Sequence, residues 1–174
     1  MKGVPRHCVV LEEHSDEWKN EYEITCALLL EILDANVLDI QHVGSTAIEG
    51  IKAKPMLDVA VLVKSMDDVL YERMKANGYT YYNEVAQGHH LFILRGENEV
   101  SLQHVHCYPE NARNSFEEQV RFRDFLRTHV EYAREYEKLK LELCEKYSDD
   151  RESYTAGKRT FFDKINELAR VESK

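Results

Sequence analysis

The strongest constraint on the fold is a short polar turn that separates two apolar, β-branched stretches of the chain. The first stretch, Val37–Val43, runs directly into the turn Gly44-Ser45-Thr46, and the second, residues 56–63, carries a single carboxylate, Asp58. Glycine lets a backbone approach an anion closely, and the two hydroxyl residues offer O–H and N–H donors at a candidate helix start. The pattern is typical of a phosphate site in which Asp58 faces the anion across a metal ion.

The size and composition of the chain favour one domain with one core. It has 174 residues, of which 43% are hydrophobic and 32% charged, so an α/β (α+β) fold that spans residues 1–174 is expected. Strand patterns fill about residues 1–110, and helical patterns fill about residues 111–174. We therefore expect a mixed β-sheet with flanking helices and a C-terminal helical layer.

Charge and cysteine usage exclude several classes of protein. The formal net charge of −9 argues against broad nucleic-acid binding, although a local basic pocket is compatible with it. The four cysteines are scattered and form no CxxC pair, which indicates neither a zinc knuckle nor a disulfide framework. No apolar run approaches the ~20 residues that span a bilayer. A cytoplasmic protein without membrane contact is expected.

Hydrophobic spacing predicts the order of the elements. The predicted strands are residues 7–11, 37–43, 56–63, 79–83, 90–94 and 100–107. The predicted helices are residues 18–33, 66–77, 114–147 with a break near Thr128, and 153–169. The strands favour a mixed or antiparallel sheet.

Two histidines form a second candidate cluster. In Gln103-His104-Val105-His106, the alternation of a strand puts His104 and His106 on one face. Neutral imidazole binds metals and imidazolium donates hydrogen bonds to phosphate, so the pair is a candidate metal-binding or acid/base site. The simpler alternative is two half-exposed histidines without a ligand.

His42, immediately before the turn, could join this site. It would complete a set of three histidines and one carboxylate with Asp58 if both apolar strands belong to one sheet. Asp58 could instead cap a nearby helix, but a carboxylate in so apolar a strand needs cations or hydrogen-bond donors to stay ionised. His89 and His90, beside Gly88, are interpreted as turn residues.

Basic residues could neutralise a bound phosphate. Lys54 lies just before the second apolar stretch. Lys158 follows Tyr154 by four positions, so the side chains of Tyr154 and Lys158 share one helix face. Arg123 is a third candidate. Most of the other basic residues are interpreted as solvated charges on helix surfaces.

The run from residue 42 to residue 63 resembles the signature of the GrpB family, which is related to the nucleotidyltransferase superfamily. Further matching segments follow in chain order: residues 102–106, 122–127, 128–129, 136–140, 154–158 and 161–162. The resemblance implies a nucleotidyltransferase-like fold in which a mixed sheet carries a Gly-Ser turn that holds the nucleotide. By position, Gly44 and Ser45 match that turn and Asp58 matches the first metal-binding carboxylate.

One position departs from the pattern of the active enzymes. In these enzymes an Asp-x-Asp or Asp-x-Glu pair and a third carboxylate bind two magnesium ions that bridge the phosphates. Here Ala60 stands two positions after Asp58, and His104 and His106 replace the third carboxylate. Magnesium prefers oxygen ligands, so ordinary two-magnesium transfer is disfavoured. A histidine-rich site suits zinc, manganese, nickel or iron, or acts without metal as a phosphate cradle.

The hypothesis is a nucleotidyltransferase-like protein that binds a nucleotide or another phosphorylated small molecule, with metal-dependent transfer as its catalytic version. The expected catalytic residues are Asp58, His104 and His106, and the expected ligands of a divalent metal are these three and His42. The expected phosphate-binding residues are Gly44, Ser45, Thr46, Lys54, Arg123 and Lys158. The alternatives are a non-catalytic nucleotide sensor or interaction domain and a metal-dependent hydrolase. The sequence leaves the oligomeric state open.

Overall fold

In residues 1–172, which the computed structural model describes, the chain forms five strands and six α-helices. The strands are β1 (Val37–Val43), β2 (Leu57–Val63), β3 (Tyr79–Ala86), β4 (His89–Arg95) and β5 (Ser101–Pro109). The helices are α1 (Glu17–Leu33), α2 (Asp68–Ala76), α3 (Arg113–Thr128), α4 (Val130–Lys146), α5 (Arg151–Ala156) and α6 (Arg159–Glu172). None of these described helices combines the length and the apolar character needed to cross a membrane.

All five strands belong to one mixed sheet in the order β1-β2-β5-β4-β3. Strands β2 and β5 run parallel, and the other neighbours run antiparallel. Strand β2 lies inside the sheet and is covered on both faces, which is why its sequence is an almost continuous apolar run. The predicted mixed sheet is confirmed, and it places the two site-bearing strands side by side.

The two faces of the sheet carry different layers. Val59 and Val61 point to the face covered by α1, where they share a core with Trp18. Ala60 and Leu62 point to the opposite face, where Phe116 of α3 packs. A second helical core joins α3, α4 and α6 and includes the segment that follows the Gly-Ser-Thr turn. The turn is therefore held between the sheet and the C-terminal helices.

Three local predictions differ from the structure. The strand predicted at residues 7–11 is wrong: this segment begins in a turn and continues without regular structure, and isolated bridges lie on either side of it, Val4 with Ser101 and Glu12 with Ala53. The helix predicted at residues 153–169 is two helices, α5 and α6, separated at Gly157 and Lys158. The helix start expected at the Gly-Ser-Thr turn is a single 3-10 turn of three residues. The predicted break near Thr128 is confirmed, because α3 ends there.

Candidate functional site

The parallel pairing of β2 with β5 brings Asp58 beside both predicted histidines. Asp58 lies opposite His104 in the register, and all three side chains project from the same face of the sheet. Asp58 Oδ1 is 3.3 Å from His106 Nε2 and 3.7 Å from His104 Nδ1. One ligand atom from each residue lies within 4.8 Å of the others, so this Asp-His-His triad could hold a metal ion.

His89 extends the triad along the sheet. It begins β4 and places its Nε2 atom 2.8 Å from Nδ1 of His106, whose other ring nitrogen faces Asp58. The His89 ring also stacks on Tyr108, with the ring centroids 4.6 Å apart. The described side chains thus form a continuous hydrogen-bonded line from Asp58 through His106 to His89.

The protonation states suit a metal ligand set. Burial raises the pKa of the Asp58 carboxyl, but the hydrogen bond from His106 and the positive charge of Lys54 outweigh burial and hold this pKa well below its usual range. Burial lowers the pKa of His104 to about 3, and burial likewise lowers the pKa of His89 to about 3. At neutral pH the site therefore offers an ionised carboxylate beside neutral imidazole, the forms that bind metals.

Cationic side chains converge on the same site, Lys54 from the segment before β2 and the others from the C-terminal helical part. The ring of Tyr154 carries two ammonium groups, with Lys158 Nζ 4.7 Å and Lys54 Nζ 5.5 Å from its centroid. Arg151 donates a hydrogen bond to His104 Nε2 at 3.2 Å. Lys54 and Lys158 thus lie close together, as the sequence predicted, and Arg151 of α5 is a third cation beside them.

A fourth cation, Lys140, is buried behind this group. Its side chain is 1% exposed, donates to the backbone carbonyl of Lys52, and lies 4.8 Å from the centroid of the Tyr136 ring. Burial and the neighbouring charge of Lys158 lower the pKa of Lys140 to about 7. Burial and the surrounding cations also lower the pKa of Lys54 to about 7. We refer to Lys54, Lys140, Arg151 and Lys158 together as the cationic cluster.

The cationic cluster has an excess of positive charge in a protein whose net charge is −9. Burial lowers the pKa of Lys54 and of Lys158, the neighbouring cations lower it further, and the charge of Asp58 raises it. Like charges in partly buried surroundings repel one another unless an anion balances them. The arrangement is therefore prepared for an anionic ligand.

The Gly-Ser-Thr turn forms the rim of the triad. Gly44 adopts φ +71° and ψ −172°, a conformation that is essentially restricted to glycine, and a Cβ atom built on it would lie 2.5 Å from Oδ2 of Asp58. The Ser45 hydroxyl donates to the Tyr136 hydroxyl at 3.4 Å, which links the turn to α4. The Thr46 hydroxyl is buried against the His42 ring at 2.9 Å, so it supports the turn from within.

The structure does not bring His42 or Arg123 into the Asp-His-His triad. His42 pairs with Val59 in the register, so its ring projects from the face opposite to Asp58 and stacks on Tyr22 of α1 at 4.8 Å. Arg123 hydrogen-bonds to Asp124, to the Gln41 side chain and to the His42 carbonyl, which fastens α3 to β1. The structure does not support His42 as a ligand of the triad. Adjacent residues of a strand point to opposite faces, and His42 lies opposite Val59, whereas its neighbour Val43 lies opposite Asp58.

Sequence reasoning missed three residues of the site, although signals were present. Ala86 pairs with His89 across a two-residue turn, so the strand begins at His89 and alternation directs it toward His106. Arg151 precedes Tyr154 by three positions and therefore shares its helix face. Lys140 interrupts the apolar stripe of α4, where a lysine signals either a buried charge or a ligand.

Comparison with known proteins decides the family. The chain matches the family model described as GrpB protein over residues 8–168. The chain belongs to the GrpB family. A curated GrpB relative, the glutamate-rich protein GrpB of Alkalihalophilus pseudofirmus, is 38% identical over 174 residues, which cover 97% of this chain and 100% of the relative.

Solved structures agree with the GrpB assignment and extend it to a fold. The crystal structure of the conserved protein GrpB from Enterococcus faecalis superposes with a TM-score of 0.85 at 28% identity, over 94% of this chain and 99% of that chain. Terminal uridylyl transferase 4 from Trypanosoma brucei, solved with bound dUTP, superposes with a TM-score of 0.50 at 13% identity, over 77% of this chain and 46% of that chain. The GrpB fold therefore resembles that of nucleotidyltransferases.

The site of this GrpB-family chain differs chemically from a paired-carboxylate site. Ala60 is fully buried among Val43, Leu62, Tyr108 and Phe116, so the position that would carry a second carboxylate lies in an apolar cluster. A charged group there would be costly to desolvate. Within the described residues, the one group suited to a metal is the triad of a single carboxylate and two imidazoles.

Proposed function

We propose that this GrpB-family protein binds one divalent metal through the Asp-His-His triad and, beside it, the phosphate of a nucleotide or another phosphorylated small molecule. The observation that carries the proposal is the convergence of this triad with the cationic cluster on one side of the sheet. A metal ligand set alone is compatible with many functions. A ligand set bordered by cations that repel one another favours a ligand of negative charge.

The donor chemistry selects the class of metal. One carboxylate oxygen and two imidazole nitrogens suit zinc, manganese, nickel or iron better than magnesium, which prefers a shell of oxygens. When bound, such an ion supplies a Lewis acid that polarises a phosphoryl oxygen. Asp58, His104 and His106 would hold it, and within residues 1–172 the group suited to a metal contains no carboxylate besides that of Asp58.

The remaining residues of the chain would bind and orient the phosphate. Lys54 and Lys158 present ammonium groups over Tyr154, and Arg151 presents a planar guanidinium whose fixed donors suit phosphate oxygens. Gly44 leaves the space beside the Asp58 carboxylate free of a side chain. Lys140 adds positive charge from a buried position without reaching the surface.

The proposal is tested by calorimetry on the purified protein with pyrophosphate and with common nucleotides, in the presence of zinc, manganese or a chelator. We expect tighter anion binding with metal than with chelator, because the ion offsets the charge of Asp58. A ligand at ~100 times its dissociation constant would also stabilise the fold by about 2.7 kcal/mol, which a thermal-shift assay detects. Absence of anion binding under all of these conditions would refute the proposal.

A non-catalytic sensor is favoured by Ala60. Because Asp58 is not joined by a second carboxylate at position 60, we expect no pyrophosphate release above background from any common nucleotide with magnesium, although the protein binds the nucleotide. The measurement is pyrophosphate release across magnesium, manganese and zinc, with an Asp58→Asn variant as the control for contaminating enzymes. Magnesium-dependent release that vanishes in this variant would contradict the sensor and show that the site cleaves the bond between the α- and β-phosphates.

The three convergent ligands also favour a metal-dependent hydrolase as a second candidate. Catalytic zinc sites commonly combine three protein ligands with an open fourth position. Release of inorganic phosphate from phosphate monoesters, measured in parallel with pyrophosphate release, separates this candidate from the transferase. Phosphate release that requires zinc or manganese would support hydrolysis.

Anion binding is expected to depend on pH because two cations of the cluster titrate near neutrality. Burial and the charges of Lys158, Arg151 and Lys140 lower the pKa of Lys54 to about 7, although the charge of Asp58 raises it. The pKa of Lys140 is also about 7. Protonated lysine attracts anions, so the affinity should rise as the pH falls through about 7. Sulfate titrated into metal-free protein is the probe, since sulfate keeps its charge over this range.

A Lys54→Met variant is the partner of this measurement. It removes one titrating ammonium and should flatten the pH dependence of sulfate affinity. An Arg159→Met variant removes an exposed cation of α6 that forms an ion pair with Asp163, and it should leave the pH dependence unchanged. Sulfate affinity that is independent of pH in the wild-type protein would contradict the role of the two lysines.

A further inference from the structure

His89 lies outside the triad, yet it makes the shortest side-chain contact to any member of it. Its Nε2 atom is 2.8 Å from His106 Nδ1, whereas Asp58 Oδ1 is 3.3 Å from His106 Nε2. The stacking of His89 on the fully buried Tyr108 fixes its ring plane. His106 is thus held at both ring nitrogens by side chains of two other strands.

The protons of the two rings must be arranged together. A neutral imidazole has one donor nitrogen and one acceptor nitrogen. When His106 donates from Nε2 to Asp58, its Nδ1 is an acceptor, and His89 satisfies it by donating from Nε2. When His106 Nε2 instead binds a metal, the proton of His106 must lie on Nδ1, and Nδ1 then requires an acceptor.

His89 is able to serve both arrangements because it can change tautomer. With its proton on Nε2 it donates to His106, and with its proton on Nδ1 it accepts from His106. A lysine or arginine in its place could only donate. Arg151 has that limitation at His104, where the guanidinium donates to Nε2.

We propose that His89 is a positioning residue that orients His106 and follows its change of tautomer when Nε2 of His106 takes up a divalent metal. This inference rests on the proposed metal site. It gives His89, the first residue of β4, a role in metal binding although His89 is not one of the three proposed ligands. Residues that hold the second nitrogen of a metal-binding histidine typically account for 10 to 100-fold in metal affinity.

The test compares three variants of the full chain by calorimetry with zinc alone. His89→Leu fills the space without a hydrogen bond and should weaken zinc binding roughly 10 to 100-fold. His89→Gln carries an amide that can donate or accept by rotation, and it should restore most of the affinity. His90→Leu changes the neighbouring histidine, which contacts Tyr71 and Tyr81 on the opposite face, and should leave zinc affinity unchanged.

Each outcome decides something. Unchanged zinc affinity in His89→Leu, or a His89→Gln variant as weak as His89→Leu, overturns the positioning role while the metal site stands. A wild-type protein that binds no zinc overturns both the metal site and the role of His89. Thermal unfolding of each metal-free variant identifies loss of fold, because a merely structural role would lower stability in His89→Gln and His89→Leu alike.

Nitrogen chemical shifts in the imidazole spectra give a second measurement that does not depend on affinity. In the metal-free protein we expect the proton of His106 on Nε2 and that of His89 on Nε2. Zinc should move the proton of each ring to Nδ1. Zinc binding that leaves the His89 tautomer unchanged would overturn the inference.

Discussion

Replacing Asp58 with asparagine is expected to abolish measurable metal binding and, with it, the effect of metal on phosphate affinity. The amide keeps the size of the side chain but removes the negative charge that would attract the metal and that faces His104 and His106 at 3.7 and 3.3 Å. Loss of an outer partner of a ligand costs roughly 10 to 100-fold in affinity, so loss of the only carboxylate ligand should cost at least about 100-fold. Calorimetry with zinc and then with pyrophosphate measures both effects.

The matched control for this variant is Asp39→Asn on the neighbouring strand β1. Asp39 accepts hydrogen bonds from Ile40 and Gln41 and does not belong to the triad. The control should bind zinc as the wild-type protein does. Equal phosphate affinity in Asp58→Asn and wild-type protein, with metal and with chelator, would remove Asp58 from the mechanism.

Replacing Gly44 with alanine is expected to destabilise the fold and displace Asp58 at the same time. The backbone conformation of Gly44 costs about 1–3 kcal/mol for any other residue. The new Cβ atom would also lie 2.5 Å from Asp58 Oδ2 and 2.9 Å from Asp58 Cβ, and such overpacking costs about 1–3 kcal/mol more. We expect the free energy of unfolding to fall by about 2–6 kcal/mol and zinc affinity to fall with it.

Gly50→Ala isolates the contact with Asp58 from the cost of the backbone conformation. Gly50 has a similar φ of +73°, but no atom lies within 4 Å of a Cβ built on it. This control should lose about 1–3 kcal/mol for its positive φ alone and keep its zinc affinity. Urea unfolding and zinc calorimetry on both variants make the comparison. Equal destabilisation in the two variants, with zinc affinity intact, would show that a Cβ atom at residue 44 does not disturb Asp58.

Local patterns in the sequence predicted much of the fold because alternation and helical spacing are short-range properties. The two apolar stretches around the Gly-Ser-Thr turn became β1 and β2, and the alternation in Gln103-His104-Val105-His106 placed both histidines on one face of β5. The segment at residues 7–11 shows the limit of this reasoning. Its residues favour a strand, but the Val9 N–H donates to the Ser148 carbonyl instead of to a strand, and the only bridges to this region are at Val4 and Glu12 among the described residues.

The site shows the same division. The sequence by itself determined the chemical character of Asp58, His104 and His106 and the absence of a carboxylate at position 60. It also determined, through alternation, that His104 and His106 act from one face. It could not determine that β2 and β5 are neighbours, because that pairing joins residues 48 positions apart, Asp58 and His106, and depends on the order of the whole sheet.

Only the tertiary structure decided which other residues reach the triad. The register of β1 against β2 turned His42 to the opposite face, and the pairing of β4 with β5 brought His89 to His106. The docking of the C-terminal helices brought Arg151 and Lys140 toward the site and fastened Arg123 elsewhere. The physical reason is that alternation and helical spacing act within a few residues, whereas strand order and helix packing are set by burying the apolar surface of the whole chain.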